Sequence, residues 1–150
     1  MTEVLVVSIS KPLLIGIYKN KDLIEEFEVE GMTSDFLPLT FNKIIKKYNI
    51  NRINYVNTPG SYMAIKVAYV FLKTLSISKD IEFYACSGFE FNGNTPIKAL
   101  GKKYFINEND TIKVDFLDNN TKIQDFKLPK SLKEINFSLE TLPIYNLPAV

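Results

Sequence analysis

The sequence predicts an α/β domain: a five-stranded mixed sheet, its first three strands antiparallel, layered with helices and followed by a reduced β-rich lobe. Three observations carry this. Apolar runs at Val4 to Ile9 and Leu13 to Tyr18, and an alternating segment at Leu23 to Val29, are joined by breaks too short for crossovers. Two later stretches repeat apolar residues at helical spacing, and each leads into a further β-like run. Beyond Asn94 the texture changes to short strand-like pieces between polar turns. The expected division is therefore residues 1–94 for the α/β domain and 95–150 for a truncated second lobe whose C-terminal segment docks back.

The first run is continuously apolar, which suits a central strand buried on both faces. Lys11-Pro12 breaks it, and Lys19-Asn20-Lys21-Asp22 forms the next turn. The third strand alternates Phe27 and Val29 with glutamates, so Glu25, Glu26, Glu28 and Glu30 read as the solvated side of an edge strand rather than as an acid/base cluster. After Gly31, Thr33 or Ser34 is placed to cap a helix with Pro38 in its first turn; Leu37, Phe41, Ile44, Ile45 and Tyr48 follow at helical spacing. Ile53 to Val56 makes a fourth strand, able to run parallel to the first because a helix intervenes.

Thr58-Pro59-Gly60-Ser61 leads into a second helix, from Tyr62 to about Leu75, with Ser61 as its N-cap. This helix is apolar around most of its circumference. Tyr62, Ile65, Tyr69 and Leu72 lie on one side, Ala64, Ala68 and Phe71 on another, and Lys66 and Lys73 mark a narrow polar stripe. Such a helix needs cover on two sides, the sheet and a partner. Glu82 to Cys86 is the fifth strand, and Ser87 to Asn92 a short helix. In the second lobe Lys102 to Ile106, Ile112 to Phe116 and Lys122 to Phe126 read as strands, before the closing Leu142-Pro143-Ile144-Tyr145-Asn146-Leu147-Pro148. Three antiparallel strands, helix, parallel strand, helix, strand is the layout of a ribonuclease H-like or actin-like ATPase domain.

Composition removes much chemistry. With 150 residues, 46% hydrophobic and 23% charged, the chain is an ordinary globular domain, and a formal charge of +1 implies no grip on phosphate backbones. Arg52 is its single arginine, where bidentate phosphate or guanine contacts favour Arg. There is no His, which removes Ser-His-Asp and Cys-His catalysis and imidazole metal ligands together. One cysteine, Cys86, allows no internal disulfide and reads as a core thiol. No apolar stretch approaches the roughly 20 residues that span a bilayer, and Met1-Thr2-Glu3 opens without a basic leader, so the expected compartment is the cytoplasm, without membrane attachment.

Two places could carry chemistry. In folds of this layout the tip of the first strand normally holds an Asp that handles metal and phosphate; here it reads Val7-Ser8-Ile9-Ser10, with no carboxylate. The turn Thr58, Pro59, Gly60, Ser61 could hold an anion at a helix N-terminus, but it lacks the Gly-Lys-Ser/Thr ending of a P-loop and reads first as a structural turn and cap. No catalytic, cofactor or metal residue is expected.

The segment Thr58-Pro59-Gly60-Ser61-Tyr62-Met63-Ala64-Ile65-Lys66-Val67-Ala68 resembles the Gly-Pro-Gly-Ser-Phe-Thr-Gly-Leu-Arg-Ile-Gly pattern of the TsaB (YeaZ) family. These are the small actin-like subunits of the bacterial machinery that makes threonylcarbamoyladenosine in tRNA, next to the anticodon. Leu37-Pro38-Leu39 and Leu142-Pro143-Ile144-Tyr145 resemble two further family segments. The chain departs from the pattern at Ser8-Ile9-Ser10, where the family has Asp-Thr-Ser, at Thr58 for Gly and at Lys66 for Arg, and its second lobe is shortened. The resemblance implies a non-catalytic subunit without cofactor. Its two helices would bind a TsaD-type catalytic subunit through Leu37, Phe41, Tyr48, Ala64, Ala68 and Phe71. It also implies a TsaE-type ATPase as a further partner, a homodimer through the same helices as a second arrangement, and only indirect contact with tRNA. The competing expectations are a residual enzyme, nucleotide-dependent or peptidase, and a self-associating domain with an unrelated partner.

Overall fold

A computed structural model describes residues 1–146. The last residues of the closing segment, Leu147 and Pro148 among them, lie outside the described residues. Strands β1 (Thr2–Val7), β2 (Leu13–Lys19) and β3 (Asp22–Val29) form an antiparallel meander. Helix α1 (Thr33–Lys47), strand β4 (Arg52–Thr58), helix α2 (Tyr62–Lys79) and strand β5 (Glu82–Ser87) follow. β4 runs parallel to β1 and β5 parallel to β4, giving the order β3-β2-β1-β4-β5. The α/β architecture read from the element order is the one the chain adopts.

β1 lies at the centre and is buried on both faces, as its unbroken apolar run requires. Val4 and Val6 point to one face and pack with Leu37, Phe41 and Ile44 of α1 and Ile65, Ala68 and Leu72 of α2. Leu5 and Val7 point to the other, where Leu14, Tyr18, Val56, Cys86 and Phe91 gather. β3 is the exposed edge; Glu26 and Glu28 face solvent, while Glu25 shares the half-buried side with Phe27 and Val29. Glu25 ties the edge to α1: its carboxylate accepts from the Tyr48 hydroxyl and from Lys47 Nζ at 3.0 Å.

Two local expectations are corrected. Neither Thr33 nor Ser34 caps α1; the N-cap is Met32, without a side-chain cap, because the turn at Gly31 (φ 102°) starts the helix earlier. Pro38 consequently falls in the second turn instead of the first, where it removes a helical N–H. Ser61 does cap α2, its Oγ accepting from the Ala64 N–H at 3.5 Å.

Beyond β5 a 3-10 turn (Gly88–Phe91) leads to a small antiparallel sheet of β6 (Ile97–Lys98), β7 (Lys103–Glu108) and β8 (Thr111–Phe116). The strand expected at 122–126 does not form. That segment instead begins an irregular strap, residues 118–146, which returns across the large sheet. The Lys127 N–H donates to the Phe91 carbonyl at 2.8 Å, and Phe126, Leu128, Leu132, Ile135 and Phe137 pack on the face opposite the helices. Ser138 exchanges two 2.8 Å hydrogen bonds with Ala85 of β5, and the Ile144 N–H reaches the Asn57 carbonyl at 3.0 Å. The contacts of this segment with the large sheet thus run from Phe126 to Ile144.

Candidate functional site

The tip of β1 meets two neighbouring loops. Ser8 and Ser10 are buried there, and Ile9 points between two glycines from neighbouring loops. A Cβ on Gly60 would lie 2.2 Å from Ile9 Cγ2, and a Cβ on Gly88 would lie 2.5 Å from Ile9 Cδ1. Both glycines therefore make room for an aliphatic side chain, and Ile9 fills the space between the two loops. The Thr58 to Ser61 turn is occupied by its own chain: Thr58 Oγ1 bonds Asn146 Oδ1 at 2.8 Å, and Ser61 caps α2.

A cavity of about 610 Å³ opens beside this tip, lined by Ser10 and Ser61 together with Lys11, Lys98, Glu28 and Asp125. Two cations and two anions leave it without net charge to attract a phosphate chain. Among the described residues no group of three acids or cysteines converges as a metal site. The sole thiol, Cys86, lies beneath the strap, and burial pushes its pKa well up, away from a nucleophilic thiolate. The carboxyl of Glu90 is also raised by burial, against the opposing hydrogen bond from the Asn136 N–H. Neither is paired with a base that would make it catalytic.

The helix side of the molecule offers a different surface. Of the residues expected at an interface, Leu37, Phe41 and Ala68 are spent inside the chain, each no more than 1% exposed and packed on the sheet. That is a correction with a simple cause. The small residue at 68 lets α2 approach its own sheet closely, not a second helix. Ala64 is half-buried near the β1 tip, lining a cavity with Ser8 and Thr33, and Tyr48 is engaged with Glu25. Phe71 alone among them joins an open surface, edge-on to Phe41 with ring centroids 5.6 Å apart.

That surface is a groove of about 450 Å³ between α1 and α2, lined by Pro38, Met63, Val67, Val70 and Phe71, with Lys66 on its border. Met63 and Val70 are 60% and 55% exposed, large apolar side chains left in water. Sequence reasoning missed Met63, Val67 and Val70. Their spacing of 63, 67, 70 and 74 is itself a helical stripe, the third around α2, and it falls between the two stripes read as the buried sides.

No protein-family model and no curated protein matches the chain. Solved structures do. YeaZ from Pseudomonas aeruginosa is similar with a TM-score of 0.57 at 8% identity, over 82% of this chain and 67% of that one. An uncharacterized protein with similarity to peptidase YEAZ from Pseudomonas aeruginosa has a TM-score of 0.56 at 8% identity, over 89% of this chain and 72% of that one. At this identity the likeness shows a shared fold.

Proposed function

We propose that the chain is a non-catalytic partner subunit of the TsaB kind. It docks through the α1–α2 face on a TsaD-type catalytic subunit that threonylcarbamoylates the adenosine next to the anticodon of tRNA. The observation that carries this reading is the open apolar groove of Met63, Val67, Val70 and Phe71 on the face formed by the two helices. The likeness to YeaZ in fold supports it, as does the β1 tip, where no carboxylate stands and Ile9 packs between Gly60 and Gly88. In this reading the subunit works in the cytoplasm, carries no cofactor, meets a TsaE-type ATPase in the assembled complex and touches tRNA only through its partner.

Co-expression with the TsaD-type protein of the same organism, followed by size exclusion, tests the assignment. A complex that Val70→Glu dissociates supports it. A chain that ignores that protein and elutes as a dimer, also broken by Val70→Glu, replaces it with self-association. The isolated chain should give no heat with magnesium and ATP in calorimetry; a micromolar site, or hydrolysis of ATP or of a peptide, would restore the enzyme reading.

A further inference from the structure

The turn between β2 and β3 contains a residue in an unfavourable place. Asn20 and Lys21 both have positive φ, 50° and 74°, as a two-residue hairpin turn with the right twist requires. Asn suits the first position, but the second favours Gly, and a Lys there carries backbone strain. The strained residue reaches something specific. Its Nζ lies 3.1 Å from Oε2 of Glu3, a carboxylate with no exposed surface that also accepts from Asn54 Nδ2 at 3.0 Å. The same ammonium sits 5.7 Å from the ring centroid of Phe137.

Lys21 also holds the strap through its backbone. Its carbonyl accepts from the Leu132 N–H at 2.9 Å, while the Leu23 N–H donates to the Lys130 carbonyl at 3.0 Å and the Tyr18 hydroxyl to the Pro129 carbonyl at 2.7 Å. One turn thus fastens residues 129–132 and the ring of Phe137. The hydrophobic cluster on the helix side contains no strap residue; only the strap's last residues reach that side, where the Thr141 carbonyl accepts from the Tyr55 hydroxyl and Tyr145 packs on Tyr62 with ring centroids 4.4 Å apart. Among the described residues the strap has no helix or strand of its own to hold it in place, only isolated bridges at Ser131 and Ser138.

We propose that residues 118–138 of the strap are detachable, locked by the Lys21–Glu3 ion pair, and open as a unit while the helix-covered side, with the strap's last residues on it, remains folded. Opening uncovers Leu5, Val7, Val56 and Cys86, an apolar sheet face that the closed form hides. The inference does not depend on the partner reading.

Cys86 is the one cysteine of the chain and is 5% exposed beneath the strap, so its labelling by a thiol reagent reports opening. In the wild-type protein, labelling should depend less steeply on denaturant than loss of helical circular dichroism does. The informative variant is Lys21→Gly, which relieves the turn and removes the lock. Unpairing the buried carboxylate should speed labelling about 10- to 100-fold, discounted for the partial exposure of Lys21, with little shift in the helical midpoint. Adding Glu3→Gln to that variant should recover part of the protection. Labelling at the wild-type rate or slower in Lys21→Gly would make Lys21 an ordinary turn residue and overturn the lock. Identical denaturant slopes for labelling and for helix loss would overturn the separate strap. Should Lys21→Gly fail to fold, Phe137→Ala decides: faster labelling with intact helices supports the proposal, and unchanged labelling sinks it.

Discussion

On one face of the sheet, α1 and α2 lay Leu37, Phe41, Ile44, Ile65 and Leu72 over Val4, Val6, Ile53 and Tyr55. On the other, the strap sets Phe126, Leu128, Leu132, Ile135 and Phe137 over Leu5, Val7, Leu14 and Val56. The strands serve both equally, because their side chains alternate. The covers differ in kind. A helix satisfies its own backbone and brings a ready-made apolar stripe, whereas the strap must find partners for its peptide groups one at a time, on Lys21, Leu23, Ala85, Phe91 and Asn57. The same apolar sheet can therefore be closed by a self-sufficient layer on one side and by a borrowed one on the other. The borrowed layer is the weaker place to open.

The largest expected effect breaks the helix face. Ala68→Glu would put a carboxylate and its extra atoms against a fully buried contact with the sheet, and should cost about 3–5 kcal/mol, enough to unfold a marginal domain. Thermal unfolding reads it; a folded protein with a near wild-type midpoint would mean that α2 does not lie on the sheet this way. Two positions along, Val70→Glu changes an exposed groove residue. It should alter stability by no more than about 0.5 kcal/mol while abolishing the proposed partner contact.

Leu132→Ala tests the other face. Leu132 is 1% exposed and is the most deeply buried apolar residue of the strap, so truncation should cost about 2–4 kcal/mol. If the two covers are independent, most of that loss appears in Cys86 protection and little in the helical signal. An equal loss in both would show a single cooperative unit.

The difference between the faces is also the difference between what was and was not legible. β1, β2 and β4 announced themselves as apolar runs, and α1 and α2 as periodic stripes, because a local rule relates each residue to the next few. The strap has no period. Phe126, Leu128, Leu132, Ile135 and Phe137 are spaced irregularly, and each points to the sheet because a distant backbone group turns it there. Nothing in the neighbouring residues records that. The partner face was half legible for a related reason. A helix apolar on three stripes does not say which two its own fold consumes, so Ala68 and Phe41 read as plausible contacts while Met63 and Val70 went unnoticed. The missing acid of the strand tip was visible at Ser8, but the packing of Ile9 between Gly60 and Gly88 needed three loops brought together.

A smaller effect probes how the end of the strap reaches over to the helix side. Tyr55, buried in the helix-side core, donates its hydroxyl to the Thr141 carbonyl, and burial holds its pKa far above the ordinary range, so it stays a neutral donor. Tyr55→Phe leaves that carbonyl unpaired and should cost about 1–2 kcal/mol. The loss should show as faster hydrogen exchange of the Ile144 amide, with the Ala85–Ser138 pair less affected. Uniform acceleration across the strap would mean its last turn is not held separately.

The smallest effects are titrations, and the two faces should give opposite signs. Glu25, on the edge toward α1, has its carboxyl lowered first by the Tyr48 hydroxyl and then by Lys47. A lowered folded value contributes stability that is present above the unfolded pKa and lost as pH falls through the folded one. Glu25→Gln should therefore reduce the thermal midpoint near neutrality and converge with the wild type in acid. Glu90, which accepts from the strap at Asn136, has its carboxyl raised by burial. Its contribution is present in acid, below the unfolded pKa, and is lost as pH rises through the folded one. Glu90→Gln keeps an oxygen for the Asn136 N–H without the buried charge, so near neutrality it should tighten the strap and slow the labelling of Cys86. In acid the two proteins should converge. Glu25 is well solvated and Glu90 only partly buried, so the shifts will be modest and partly screened by salt. Opposite signs at neutral pH would tie each carboxyl to its own cover. Parallel pH profiles for the two variants would show that the charge of the whole chain, and not either face, governs its stability in acid.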